Sequence, residues 1–254
     1  MGLNIGTGIK IGTGIVITPI FTPPPPVVNS NQILYLDGRQ TSSYPGTGST
    51  WYDLSGLGNN ATLYNSPTYD GTSLVFSGAG TAPSPGTVGS VQYGQVPNGV
   101  YFNGDFTINT WIKISAYNYW QRIIDFGNGA GNNSILLAST YGTSGYPGFY
   151  VGNGGNSTQF QSTAQLSYNT WYNVGATMSG TTGTIYVNGS AAGSQTMGYT
   201  AANVTRQYCY IGRSEWAGDG MFQGSIGSIL IYNRALSSTE MLTNFNALRS
   251  EYSI

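Results

Sequence analysis

Phe222-Gln-Gly-Ser-Ile-Gly-Ser-Ile-Leu-Ile-Tyr232, Asn233-Arg-Ala-Leu236 and Ser237-Ser-Thr-Glu-Met-Leu-Thr-Asn-Phe-Asn-Ala-Leu-Arg249 form one continuous stretch, and its reading decides the fold. The first part alternates and then runs apolar through Ile229, Leu230 and Ile231, the pattern of a strand covered on both faces. The middle part is a tight turn. Ser237 and Glu240 stand three apart as a capping box, in which the Ser hydroxyl accepts from the Glu amide and the Glu side chain reaches back. Met241, Leu242, Phe245 and Leu248 follow at helical spacing, which predicts one apolar stripe lying against a sheet. The chain therefore closes with a buried strand and a short capped helix.

Upstream, short strands follow one another with turn signals between them. Gln32-Ile-Leu-Tyr-Leu-Asp37 is the first strand of the domain, and Ser73-Leu-Val-Phe-Ser77 is another. Phe106, Ile108, Thr110, Ile112 and Ile114 share one parity, which predicts a half-buried strand. Gln121–Asn128, Ser134–Ala138, Gly148–Gly152, Thr170–Thr177 and Gly183–Ser190 continue the series. Asn188-Gly189 supplies the two positive-φ residues of a type I′ hairpin turn. Gly78–Gly89 and Arg213–Gly220 read as loops. This rhythm predicts an all-β, two-sheet antiparallel sandwich.

Composition narrows the function classes. Of 254 residues only 7% are charged and the net charge is -1, so nucleic acid and anionic membranes find no electrostatic footprint. No apolar run approaches the roughly 20 residues of a spanning helix, and the N-terminus lacks the plan of an export signal. Cys209 is the single cysteine, which excludes an internal disulfide and reads as a buried thiol. Without histidine, neither a Ser-His-Asp triad nor a His-rich zinc site is available.

Residues 1–20 carry a tandem hexad, Ile5-Gly-Thr-Gly-Ile-Lys10 and Ile11-Gly-Thr-Gly-Ile-Val16. Leu3, Ile5, Ile9, Ile11, Ile15 and Ile17 share one parity, so a strand here has one greasy edge and needs partners for its backbone groups. Pro23-Pro-Pro-Pro26 is a stiff polyproline spacer. Residues 1–30 are therefore expected to form an extended arm and strut that anchors the chain by strand addition to another subunit or to its own copies. The alternative is an extra strand tucked onto its own domain. Residues 31–254 form the sandwich.

Tyr35-Leu-Asp-Gly38, Trp51-Tyr-Asp-Leu-Ser-Gly56 with Asn59-Asn-Ala-Thr-Leu63, Asn109-Thr-Trp-Ile112, Asn169-Thr-Trp-Tyr-Asn-Val174, Ile185-Tyr-Val-Asn-Gly189 and the closing Phe-x-Gly-x-Ile…Ile-Tyr-Asn-Arg-Ala-Leu occur in this order. The series resembles the laminin-G-like, concanavalin A-like jelly-roll domains over roughly residues 31 to 250. The tail Asn244-Phe-Asn-Ala-Leu-Arg249 resembles more narrowly the version in virion structural proteins of tailed bacteriophages. The resemblance implies a concanavalin A-like jelly roll with a short C-terminal helix. It also implies a non-enzymatic virion protein, anchored to capsid or tail by residues 1–26 and displaying its domain outward for glycan or host-surface adhesion. Made in the host cytoplasm, it would reach the virion surface, with other virion proteins, further copies of itself and a surface polysaccharide as partners. A dedicated carbohydrate-binding module is the alternative, and a glycoside hydrolase the more remote one.

The resemblance also directs attention to particular residues. Sugar sites use aromatic faces with neutral amides and hydroxyls, and the loop aromatics Tyr117, Tyr119, Trp120, Tyr141, Tyr146 and Trp216 are candidates. Tyr119, Trp120, Tyr146 and Trp216 are preferred, with the Trp120 and Trp216 loops as the leading pair. Trp51, Trp111 and Trp171 lie within strand patterns and are expected in the core. Many relatives hold one Ca²⁺ by an Asp, an Asn and backbone carbonyls; Asp53 with Asn59, or Asp219, are the residues for it here. The capping of loop backbone by the aspartates is the competing and commoner role. The acidic pair frequent in the family after Phe-x-Gly-x-Ile is replaced by Gly227 and Ser228. Related glycosidases carry two close carboxylates, and here only Glu215 and Asp219 stand near enough in sequence to pair, in a loop. No catalytic residue is expected.

Overall fold

The computed structural model describes residues 27–254 in full, together with the backbone of the short strands Ile9–Ile11 and Ile15–Ile17. These two strands pair antiparallel, Ile9 opposite Ile17 and Ile11 opposite Ile15, so the hexads meet each other in a two-stranded sheet. Leu3, Ile5 and Pro23–Pro26 lie outside the described residues, as do the side chains of the four isoleucines.

The domain is two eight-stranded antiparallel sheets. The front sheet runs in the order Asn156–Gln161, Gly148–Asn153, Ile135–Ala138, Arg122–Gly127, Tyr208–Ile211, Tyr93–Gln95, Ala61–Tyr64 and Thr50–Trp51. The back sheet runs Ser190–Thr196, Thr182–Val187, Trp171–Ser179, Phe106–Ile114, Gln223–Tyr232, Leu74–Ser77 and Thr68–Tyr69; Gln32–Asp37 pairs with the Ser228–Tyr232 half of the closing strand. Alternate residues of each sheet meet in one core. Phe106, Ile108, Ile112 and Ile114 from the back sheet face Ile124, Phe126, Leu137, Phe149 and Ile211 from the front.

The closing strand Gln223–Tyr232 is buried along nearly its whole length, as its apolar run predicts. Its second face is covered by the helix Ser238–Leu248, whose capping box is fully formed: Ser237 Oγ accepts from Glu240 N–H, and Glu240 accepts from Ser237 N–H. Arg234 holds the Glu240 carboxylate through both terminal nitrogens, at 3.0 and 2.6 Å, which keeps its pKa down at about 2.

The helix stripe departs from the predicted one. Met241, Asn244, Phe245, Ala247 and Leu248 are buried, whereas Leu242 is exposed. Asn244 takes a seat in the seam because its side chain accepts from Val28 N–H and donates to the Tyr232 hydroxyl. The helix therefore ties down the chain at Val28, where the domain begins.

The strand Phe106–Ile114 is buried on both faces rather than half-buried. Trp111 is fully buried, but away from the central core: it lies flat between Phe245 and Tyr252, with centroids 5.7 and 4.4 Å away. Trp171 is only partly buried and packs on Tyr252 at the strand's start, whereas Trp51 is in the core as expected. A Cβ on Gly227 would lie 2.2 Å from the Tyr252 hydroxyl. The family's acidic position thus has no room for a side chain here, because the C-terminal turn occupies it. Cys209 is fully buried, and burial pushes its thiol up to about 12, so it is a structural, unreactive thiol.

Candidate functional site

Cross-strand register places one row of side chains across the outward face of the front sheet. Gln159 stands opposite Tyr150, Tyr150 opposite Leu136, and Leu136 opposite Asp125. The row continues from Asp125 to Tyr210 and from Tyr210 to Gln95. Directly opposed residues share a face, so this side of the sheet carries polar and aromatic groups while the other carries the core.

Two loops rise over one half of that row and enclose a cleft of about 350 Å³. Tyr119, Trp120, Arg122, Tyr150, Trp216 and Asp219 form its walls. Trp120 adopts φ 51°, a left-handed conformation that is uncommon and costly for a bulky side chain. It is held there by its N–H to Gly142 O, at 2.8 Å, and by its ring against Tyr141. Trp216 comes from the Arg213–Asp219 segment and meets Tyr150 edge to face at 5.6 Å.

Arg122 joins the two indoles. Its guanidinium carbon lies 5.0 Å from the Trp120 ring centre and 5.3 Å from that of Trp216, close enough for cation–π attraction. Its nitrogens donate to Trp120 O, to Asp219 Oδ2 at 2.9 Å and, more distantly, to Asp125 Oδ2 at 3.4 Å. Asp219 Oδ2 also accepts from Ser214 Oγ. The cation is thus compensated by its own carboxylates, and the cleft presents aromatic faces with no free charge.

Of the sequence-derived candidates, Tyr119, Trp120, Trp216 and Asp219 line this cleft, whereas Tyr146 does not. Arg122, Tyr150 and Gln159 complete it and are not among those candidates. Alternation offered a signal for Tyr150, since Phe149 and Val151 on either side point into the core.

Glu215 and Asp219, the only two carboxyls near enough in sequence to pair, have separate partners. Glu215 is fully buried and accepts from Ser134 Oγ at 2.6 Å and from Gly129 N–H. Its own N–H donates to Asp125 Oδ2, from a strand 90 positions away. The carboxyl partner of Glu215 is therefore Asp125. Burial first, and then the nearby Asp125 charge, raise the Glu215 pKa to about 9. Burial also raises that of Asp125, against the pull of Arg122.

A pKa raised on folding gives stability that is complete below the ordinary glutamate value of about 4.3 and is lost as pH climbs through the folded value. The wild-type chain is accordingly predicted to lose stability from mildly acid pH toward pH about 9. Glu215→Gln, uncharged at every pH, should flatten that slope and be the more stable form at the alkaline end. Urea midpoints at mildly acid, neutral and alkaline pH measure it; parallel profiles for the two proteins would sink the idea.

Asp53 accepts four hydrogen bonds, from the N–H groups of Tyr35, Ser55 and Asn59 and from Ser55 Oγ. Asn59 donates to Ile33 O and its oxygen accepts from Tyr101. Asp53 spends its oxygens capping the loop onto the first strand of the domain, and Asn59 ties that loop to the same strand through its NH₂ while its oxygen takes the Tyr101 hydroxyl. At Asp219 a guanidinium already holds the carboxylate. In both places the carboxylate is already engaged, by loop amides at Asp53 and by Arg122 at Asp219, the capping and pairing roles rather than those of an open cation site.

Two antiparallel sheets over a single core, with an aromatic cleft on one outward face, define a lectin-like sandwich. The chain belongs to the concanavalin A-like lectin/glucanases superfamily, whose family model matches residues 88–241. No curated protein matches it by sequence. Among solved structures it is similar to domain 4 of an extracellular arabinanase from Geobacillus stearothermophilus in complex with arabinotriose, at TM-score 0.64 and 16% identity over 85% of this chain and 98% of that one. It is also similar to a mutant Trypanosoma rangeli sialidase (TM-score 0.61, 19% identity, 88% of this chain), of which it spans 34%. The binding domain of botulinum neurotoxin DC in complex with SialylT gives TM-score 0.59 at 16% identity, over 87% of this chain and 52% of that one. At these identities the likeness is one of fold.

Proposed function

We propose that the chain is a non-catalytic glycan-binding protein whose sugar site is the cleft between Trp120 and Trp216. The observation that carries this reading is the pair of indoles fixed on either side of a compensated Arg122, open on the outward face of the front sheet. Flat aromatic walls bind the apolar faces of sugar rings, and a rigid wall loses little entropy in doing so. Glu215 and Asp125 are fully buried and do not line the cleft, and Asp219, the one carboxylate among its lining residues, is held by Arg122 and Ser214, which argues for binding rather than hydrolysis. Similar folds with bound glycans, the arabinanase domain with arabinotriose and the neurotoxin domain with SialylT, support the class of ligand.

On a glycan array the protein should show saturable binding, and Trp216→Ala and Trp120→Ala should each weaken it about tenfold or more, a loss of about 1.4 kcal/mol. Wild-type affinity in both variants, or no binding by the wild type, would remove the cleft as the site.

The finer reading follows the motif resemblance: a virion structural protein of a tailed phage, displayed on capsid or tail by its N-terminal arm. In support, the C-terminal helix is sealed against the back sheet, while the hexads meet in their own two-stranded sheet. A chain lacking residues 1–26 should fold and remain soluble yet fail to join the particle; assembly at full occupancy would refute the anchor.

A further inference from the structure

The other half of the outward face carries a second cleft, of about 240 Å³, that the reading above does not use. Its floor and walls are Tyr64, Tyr93, Tyr208 and Tyr210, rimmed by Gln95 and Gln207. The rings are arranged in two flat pairs. Half-buried Tyr64 stacks on buried Tyr93 at 4.5 Å and 8°, and half-buried Tyr208 lies on buried Tyr210 at 5.9 Å and 21°. Tyr93 and Tyr210 are themselves locked edge to face at 5.6 Å, and the Tyr210 hydroxyl accepts from Gly86 N–H. Four rings therefore stand fixed before any ligand arrives, which lowers the entropy cost of binding.

The side-chain amides of this cleft are unspent. Among the described residues, the side-chain amides of Gln95, Asn98 and Gln207 make no hydrogen bond within the protein, although all three border the cleft. Each offers a carbonyl acceptor and an NH₂ donor, the complement of a sugar hydroxyl. No Asp, Glu, Lys or Arg lines it. Arg213 stacks on Tyr93 and Tyr210 at 4.6 and 4.3 Å but is fully buried, so it offers a ligand no counter-ion. Burial holds Tyr93 and Tyr210 neutral. Such a surface suits an uncharged polyol and offers a carboxylated sugar no counter-ion.

The two clefts share one sheet face by register. Tyr150 of the tryptophan cleft and Tyr210 of the tyrosine cleft belong to the same cross-strand row, with Leu136 and Asp125 between them. Three strand spacings separate them, roughly 14 Å, within reach of a short oligosaccharide. The Arg213–Asp219 segment crosses between them, setting Arg213 on the tyrosines and Trp216 on Tyr150.

We propose that the tyrosine cleft is a second sugar subsite, and that an uncharged oligosaccharide lies across the front sheet from Trp120 and Trp216 to Tyr208 and Tyr64. This rests on the glycan-binding reading and assigns its ligand class: a neutral polymer engaged at both ends. Joining two weak sites on one ligand raises affinity beyond either alone.

The test is calorimetric titration of the full chain with glucan, xylan, arabinan and mannan hexasaccharides, each beside its disaccharide, and with a galacturonic acid hexamer as the charged comparison. At least one neutral hexasaccharide should bind about tenfold tighter than its disaccharide. Tyr208→Ala should erase that advantage, and Gln207→Ala, at an exposed position where folding is not at risk, should reduce it. A hexasaccharide no tighter than its disaccharide, or one unaffected by both variants, overturns the second subsite and leaves the tryptophan cleft standing. Loss in Tyr208→Ala with none in Trp216→Ala overturns the tryptophan cleft and the spanning arrangement. Tighter binding of the acidic hexamer overturns the ligand class, and no binding by any neutral sugar overturns both sites.

Discussion

Trp111→Ala is expected to cost about 3–5 kcal/mol of folding stability, the range for deleting a large buried aromatic. The indole is fully buried on the outer side of the back sheet and fills the space between Phe245 and Tyr252. Alanine would remove the ring stacked on both and open a cavity beneath the C-terminal helix. Trp111→Phe separates packing from polarity. The Trp111 Nε1 group is buried without a hydrogen-bond partner, so phenylalanine keeps a ring in the stack and removes an unsatisfied donor. Its cost should fall well below that of alanine. Guanidinium denaturation of the three proteins measures both. A loss under about 1 kcal/mol for Trp111→Ala would mean that the helix contributes little to sealing the sheet.

Arg122→Ala should be comparably severe, at about 3–5 kcal/mol, because it strips the counter-ion from carboxylates that stay buried. Asp125 is fully buried and Asp219 nearly so, and both face this guanidinium. Two further readouts distinguish charge from packing. The deficit should shrink under acid conditions, where the stranded carboxylates take up protons instead of remaining ionised. Adding Asp219→Ala to Arg122→Ala should recover part of the loss, since the residues are in contact and their effects cannot be additive. A deficit independent of pH would point to lost contact with the two indoles as the cause.

What could be read from residues alone was local. The capping box needs only the three-residue spacing of Ser237 and Glu240, which one helical turn brings together. The Asn188-Gly189 turn needs only two positive φ angles, observed at 51° and 75°. Alternation in Phe106–Ile114 identified the core-facing residues because a strand alternates whatever covers it. The same alternation could not say what lay on the other face. The strand pattern places Trp111 in the core, whereas Phe245 and Tyr252 of the C-terminal segment bury it on the outer side.

The helix itself shows where apolarity misleads. Position 244 lies on the buried face by period, but it carries Asn, so the predicted stripe ran through Leu242. Only the partners Val28 and Tyr232, distant in sequence, make a buried amide affordable there. Glu215 read as a loop residue for a related reason. Arg213-Ser-Glu-Trp-Ala-Gly-Asp219 has a loop's composition, and its burial depends on Ser134, Gly129 and Asp125 from other strands.

By itself, then, the sequence determined the two-sheet sandwich, the closing strand and the capped helix. Each follows from periodicity and from hydrogen bonds between near neighbours. It also marked Trp120 and Trp216 as exposed loop aromatics. Tertiary structure alone decided that they share a cleft, that Arg122 holds them, and that Glu215 belongs with Asp125. The cause is register: strand order places residues about 90 positions apart within a few ångströms, and nothing in local spacing encodes that order.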